Sequence, residues 1–358
     1  MVKVTSAIQE LSKEQWSKAM SGFSLEIQDV YFSSEYYSVV EDEKHRAICL
    51  FYQEADKKIM YPFLKTHINA VVDYSIDFDC YDIEGAYGYN GFLSNSTDAQ
   101  FMQDFSEALH EYCLEKKIVA EFLRLNPLFT DYSQYKHMEI ISINKNIVID
   151  LTLPLENIWM ESYEHCVRKN VKKAQRHGIT FRAFTGDEIT ADILQNFFEI
   201  YTHTMERNSS DEVYYFSREY FKKLAEEVGE KSLFVFAMKE NKPISCELVI
   251  LSQENAYSFL GGTIDDFQEF RPNNFIKHET VLLLKKMKYK KYCLGGGRTM
   301  DDGIYRYKKT FARRGDVKFF IAKKVHQPDI YNQLCVSWAK RYPEKMDAYK
   351  NYFLKYKS

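Results

Sequence analysis

Short apolar runs alternate with helical stripes along the whole of this 358-residue chain, and such an alternation is buried only by layering helices on a sheet. The fold class is therefore α/β or α+β. In the first half, 46–53 and 58–64 read as paired strands around an Ala55-Asp56 turn, and 74–80 reads as a further strand. Phe101, Phe105, Leu109 and Cys113 make one stripe of a helix over 100–116. Strands at 119–125 and 146–151 follow. Near Leu151–Leu155 the pattern restarts. Pro154 and Glu156 suit a helix start. Trp159, Tyr163, Val167 and Val171 then step by four along one face, up to the stop signal Gly178. The second half continues with a strand at 179–184, helices at 187–205 and 217–228, and three strands at 232–238, 243–251 and 256–262. A helix at 274–289, a short strand and a closing strand at 318–322 complete it. The two halves share this order without an identity-level repeat. The expected organisation is one domain over 1–152, a second over 153–325, and an amphipathic helical tail, 326–358, packing back on the first.

Composition narrows the function classes. Hydrophobic content of 45% and charged content of 28% are those of an ordinary soluble globular protein. A net charge of −3 excludes a globally basic nucleic-acid binder, so any polyanion contact needs a local patch. The 7 cysteines are scattered and form no C-x-x-C, which argues against a disulfide framework or a zinc site. Reduced thiols of a cytoplasmic protein fit this usage. The histidines show no metal-ligand spacing, and no metal is expected. Residues 1–16 lack a signal pattern, and no window is long and apolar enough to span a bilayer. A substrate at the membrane surface stays compatible with all of this.

Three segments carry candidate chemistry. Gly295-Gly296-Gly297-Arg298 is followed by Tyr305-Arg306-Tyr307-Lys308-Lys309. Glycines let a backbone approach a ligand closely, and the Tyr/Lys segment adds flat faces and cations. A helix carrying Arg168, Lys169, Lys172, Lys173 and Arg176 is a candidate tRNA or polyanion patch; its bland reading is a solvated face with cations near a helix C-terminus. Arg207, at a helix end before Tyr214-Tyr215-Phe216, suits a diphosphate because guanidinium grips phosphate in a planar fork; its alternative is a surface Arg beside aromatics. A fourth stretch, Tyr87-Gly88-Tyr89-Asn90-Gly91, reads as a tight loop presenting rings or as an ordinary turn. No Ser-His-Asp order, Walker loop or dinucleotide fingerprint stands out.

In order and spacing these segments resemble the FemABX family of peptidoglycan bridge-forming aminoacyltransferases, built on tandem GNAT (N-acetyltransferase-like) folds. Residues 87–92 are similar to the family's Tyr/Gly loop, 124–128 to its Arg-x-x-Pro-Leu strand end, and 167–178 to its basic helix. Residues 201–216 resemble its substrate loop, 271–274 its Pro-Asn helix start, and 307–311 its aromatic-Lys-x-x-Phe element. The resemblance implies two GNAT-like domains, each a mixed and mostly antiparallel sheet flanked by helices. It implies an aminoacyl-tRNA donor, an amine of a peptidoglycan precursor as acceptor, and no bound cofactor. Lys308 would stabilise charge at the reaction centre. Tyr87, Tyr89, Asn95, Arg207, Tyr214, Tyr215, Gly296, Gly297, Arg298 and Tyr305 would bind substrate. The chain departs from the pattern at Phe92, where Pro is usual, and at Asn95, where an acidic residue is expected. It has no long charged heptad insertion, so the coiled-coil arm of some members is absent. Asn274 and Ile276 replace the small residues of the GNAT pyrophosphate loop, which disfavours coenzyme A. Two alternatives stand beside this reading: an acyl-CoA-dependent N-acyltransferase on a small amine or sugar nucleotide, and a non-catalytic binding module.

Overall fold

The computed structural model describes residues 8–129 and 131–358. The first elements are β1 (Gln9–Glu10), α1 (Lys13–Ser21), α2 (Ser34–Val40), β2 (His45–Glu54), β3 (Lys57–His67) and α3 (Ile68–Val71). Then come β4 (Tyr81–Glu84), β5 (Leu93–Ser94), α4 (Ala99–Glu115), β6 (Ile118–Arg124) and β7 (Glu139–Asp150). The chain continues through α5 (Leu155–Asn157), α6 (His165–Arg176), β8 (Thr180–Thr185), α7 (Ala191–Arg207), α8 (Arg218–Val228) and β9 (Ser232–Lys239). After β10 (Lys242–Leu251) and β11 (Asn255–Thr263) follow α9 (Pro272–Lys286), β12 (Lys291–Gly295), α10 (Gly303–Lys309) and β13 (Asp316–Val325). Two helices, α11 (Pro328–Arg341) and α12 (Met346–Tyr349), end the series.

These elements form two units. One comprises the chain up to Ile143 together with Phe319–Ser358; the other is Asn144–Lys318. Both are built alike. In the first unit, β2, β3 and β4 form an antiparallel meander, α4 follows, and β6 returns parallel to β4. In the second, β9, β10 and β11 form the meander, α9 follows, and β12 returns parallel to β11. A strand from elsewhere in the chain closes each sheet: β13 lies antiparallel to β6, and β7 antiparallel to β12. The expected fold class of two mixed, mostly antiparallel sheets with flanking helices is met.

Each unit has its own core. That of the first is aromatic, with Tyr52, Tyr61, Phe92, Phe101 and Phe105 packed between sheet and α4. The stripe Phe101, Phe105, Leu109, Cys113 is buried as the helical period demands. In the second unit, Val167, Val171 and Ala174 of α6 and Phe275, Val281 and Leu284 of α9 cover the sheet.

Three local expectations are corrected. Residues 74–80 are not a strand. Asn69 Nδ2 donates to the carbonyls of Ile76 (3.3 Å) and Phe78 (2.9 Å), holding an irregular loop whose apolar side chains pack on α11 and the segment after it. The single helix read from 154 to 178 is interrupted. After α5, Ile158–Ser162 forms a π-turn, Tyr163 is extended, and α6 starts afresh. Arg168 explains the break, because its guanidinium donates to the carbonyls of Tyr163 (2.7 Å) and Trp159 (3.1 Å), satisfying the end of that turn. The tail is not one continuous helix: α11 ends before Pro343, which cannot continue it, and a 3-10 turn, the short α12 and a last 3-10 turn follow.

Candidate active site

The second unit brings the glycine triplet and the Tyr/Lys segment to one place. Pairing of β11 with β12 runs over Asn255–Tyr257, and the ladder then stops, leaving a fork between the two strands. Gly295, at φ +73°, turns the chain out of β12. A Cβ on Gly296 would stand 2.6 Å from the Lys145 carbonyl, so this position tolerates no side chain. Asp302 folds the following loop back on itself: its carboxylate accepts from the N–H groups of Arg298 (2.6 Å), Thr299 (3.0 Å) and Tyr305 (2.8 Å), and it caps α10. Asn144 Nδ2 donates to the Gly297 carbonyl at 3.1 Å.

Lys308, near the end of α10, points its ammonium at the Gly296 carbonyl, 2.7 Å away. Burial, and then the neighbouring charge of Lys277, push its pKa down to about 8. Behind it lies a buried ionic cluster that the sequence reading missed. Lys277 of α9 pairs with Glu247 of β10 and donates to Ser258 Oγ at 2.9 Å. The Tyr292 hydroxyl donates to Glu247 Oε1 at 2.5 Å, while Glu247 Oε2 has no hydrogen-bond partner among the described residues. Burial and the Glu247 charge push the phenols of Tyr292 and Tyr307 well above their ordinary range. A lone Glu inside the apolar strand Ile244–Leu251, and a lone Lys in the first turns of α9, were the available signal, since unpaired charges are rarely buried.

The other predicted residues are distributed as follows. Arg207 Nη1 donates to the Thr263 carbonyl at 2.8 Å and pairs with Asp265, whose carboxyl it holds below the ordinary range. The Arg207 fork is thus largely spent on fixing α7 to the end of β11. Tyr214 accepts from the Tyr201 hydroxyl through its carbonyl, and Tyr215 beside it is exposed. Arg298 pairs with Asp211, tying the glycine loop to the loop before Tyr214. Tyr305 is a core residue whose hydroxyl meets Asp316. On α6, Arg168 is committed to the π-turn, whereas Lys169, Lys172, Lys173 and Arg176 form no ion pair among the described residues.

Tyr87, Tyr89 and Asn95 belong to the first unit. The Tyr87 carbonyl accepts from the Tyr36 hydroxyl, and the Tyr89 ring stands edge-on to Tyr31 and Phe319. Asn95 staples the β2–β3 hairpin: its Oδ1 accepts from Lys58 N (2.7 Å) and its Nδ2 donates to the Asp56 carbonyl (2.8 Å).

The segment that the sequence resemblance aligns with the GNAT pyrophosphate loop is held to the sheet by a side chain of its own. Asp265–Phe270 forms a 3-10 turn, and Arg271 is left-handed at φ +62°. Pro272 opens α9 without an N–H to offer. Asn273 Oδ1 is taken by the hydroxyls of Ser245 (3.0 Å) and Thr263.

Comparisons with known proteins agree with this fold. A crystal structure of FemX superposes with a TM-score of 0.66 at 10% identity, covering 91% of this chain and 99% of that one. The C-terminal domain of a putative lysylphosphatidylglycerol synthetase from Agrobacterium fabrum gives 0.54 at 14% identity, covering 88% of this chain and 93% of that one. A tandem GNAT protein from the clavulanic acid biosynthesis pathway gives 0.52 at 7% identity, covering 90% and 98%. No curated protein sequence matches the chain. At these identities the likeness shows that the chain shares the fold of FemX and of the tandem GNAT protein. Residues 157–271, within the second unit, match the FemAB-like family model, described as peptidoglycan biosynthesis/recognition.

Proposed function

We propose that this protein is an N-aminoacyltransferase that moves an amino acid from aminoacyl-tRNA to an amine of a peptidoglycan precursor. The observation that carries the reading is Lys308, a mostly buried ammonium held against the Gly296 carbonyl at the β11–β12 fork. An aminoacyl ester is already activated, so transfer to an amine needs placement above all; orientation alone supplies effective molarities of roughly 10⁵–10⁸ M. The neutral amine attacks the ester carbonyl, the carbonyl oxygen becomes negative, and the tetrahedral adduct collapses to the amide as the terminal ribose oxygen of the tRNA leaves as a hydroxyl, the proton lost by the nitrogen passing to it. Lys308 is the donor for that oxyanion. The Glu247–Lys277 pair behind it fixes the floor of the fork. Asn274 and Ile276, in place of the small residues of the GNAT pyrophosphate loop, favour a tRNA donor over coenzyme A.

The test is a donor screen by mass spectrometry. Purified protein is incubated with a soluble muropeptide precursor and either charged tRNA or a panel of acyl-CoA thioesters. Gain of one amino-acid mass with charged tRNA alone is expected. Acyl gain with thioesters alone would instead assign an acyl-CoA-dependent N-acyltransferase.

A further inference from the structure

The second unit has a further feature that the reaction does not use. A pocket of about 370 Å³ opens between the π-turn, α6 and α9, lined by the apolar Leu155, Ile158, Trp159, Val281 and Leu282 together with Glu156, Tyr163, Lys172, Gln175 and His278. Large apolar side chains on or next to these elements are uncovered: Leu155 is 46% exposed, Met160 54% and Met287 43%. The frame holding them is fixed. Arg168 and Arg313 grip carbonyls of the π-turn, at Tyr163 (2.7 Å) and Glu161 (2.9 Å) respectively, and Lys285 Nζ binds the Leu151 (2.8 Å) and Leu153 (2.6 Å) carbonyls leading into it.

Cations border this apolar surface. Lys169, Lys172, Lys173 and Arg176 of α6 form no ion pair among the described residues, nor does Lys286, one turn beyond Leu282 on α9. The acids nearest in sequence are Glu156, Glu161 and Glu164, before the four cations of α6, and the half-buried Glu279 of α9. Exposed Leu and Met next to unpaired lysines suit an anionic lipid surface, where apolar side chains enter the headgroup boundary and lysines meet phosphates. A nucleic-acid backbone would use the lysines and leave Leu155 and Met160 in water.

We propose that the face formed by the π-turn, α6 and the C-terminal end of α9 docks the protein on anionic phospholipid membranes. The proposal is independent of the reaction assigned above.

The test is co-sedimentation of the full chain with vesicles of phosphatidylglycerol and phosphatidylcholine, against vesicles of phosphatidylcholine alone. Binding is expected to the first and not to the second. Each neutralised lysine in Lys169→Gln/Lys172→Gln should weaken it about fivefold. Leu155→Gln/Met160→Gln should weaken it about tenfold. Melting by circular dichroism checks that these surface variants remain folded. Absence of sedimentation overturns the proposal. So does sedimentation unchanged in Leu155→Gln/Met160→Gln, and tRNA binding that follows the lysines alone would then assign the face to RNA.

Discussion

Replacing Lys308 separates charge from shape at the proposed reaction centre. Its pKa falls from 10.5 to about 8 through burial and the Lys277 charge. Near pH 7 the ammonium still dominates; well above pH 8 the charged fraction falls about tenfold per pH unit. A neutral amine is a far weaker oxyanion donor than an ammonium, so the Lys308 contribution declines as pH rises through about 8. The acceptor amine deprotonates over the same range and raises the rate, so the raw profile mixes two effects. The ratio of wild type to Lys308→Arg removes the shared limb, because arginine stays charged to beyond pH 12 or so. That ratio should be flat below about pH 7 and fall by about fivefold between pH 8 and 9. Lys308→Met should lose about 10²–10³ in kcat, the usual cost of one oxyanion donor. Stability moves the other way. A lysine whose folded pKa is depressed binds its proton more tightly when unfolded, so it costs stability below about pH 8, and that cost is relieved as pH rises toward 10.5. The cost is bounded at about 3 kcal/mol. Lys308→Met should therefore melt no lower than wild type at pH 7, and its inactivity would not be unfolding. Initial rates by mass spectrometry across this pH range are the assay. Wild-type turnover in Lys308→Met, or a pH-independent ratio, would refute the assignment.

Three further outcomes follow from the packing. Glu247→Ala leaves Lys277 buried without its partner and should destabilise by about 3–5 kcal/mol, with the double variant Glu247→Leu/Lys277→Met recovering part of the loss in denaturant titration. Asn95→Ala removes two bonds to the β2–β3 hairpin and should cost about 1–3 kcal/mol of stability with KM unchanged; a raised KM at unchanged stability would make Asn95 a substrate contact instead. Deleting 356–358 removes the Tyr356 hydroxyl (2.6 Å) and the Lys357 ammonium (3.2 Å) from the buried Asp82 carboxylate, and should lower the melting temperature markedly, the first unit losing most.

Periodicity read most of the strands and long helices correctly because both units bury one face of each element. It failed at 74–80, where Tyr74, Ile76, Phe78 and Cys80 alternate as a strand would. Their burial is supplied by the tail, while Asn69 takes the carbonyls that a ladder would have used. It failed again at Tyr163, where the four-residue step persists across the break and a side chain, Arg168, ends the turn. At the site, the glycine triplet and Lys308 were legible as a motif, since close approach and cation are local properties. Glu247, Lys277 and Tyr292 were not, because three separate elements must fold before these residues meet. Asn95 and Arg207 look like ligand contacts in the sequence, yet both are occupied by backbone or carboxylate partners within their own units.

The exchange of closing strands bears on the order in which a nascent chain can mature. Asn144–Lys318 carries every strand of its sheet in one uninterrupted stretch. It can consolidate on the ribosome once the chain through Lys318 has emerged, since α10 and Phe311 complete its core. The other unit is translated first but must wait, because β13, α11 and the residues that neutralise Asp82 are encoded beyond the whole of its neighbour. Its apolar meander stays an open-edged intermediate for roughly 175 residues of synthesis, the span between Asn144 and Lys318. A stalled or truncated message would thus yield a finished second unit tethered to an unfinished first one, a species exposed to chaperones and proteases.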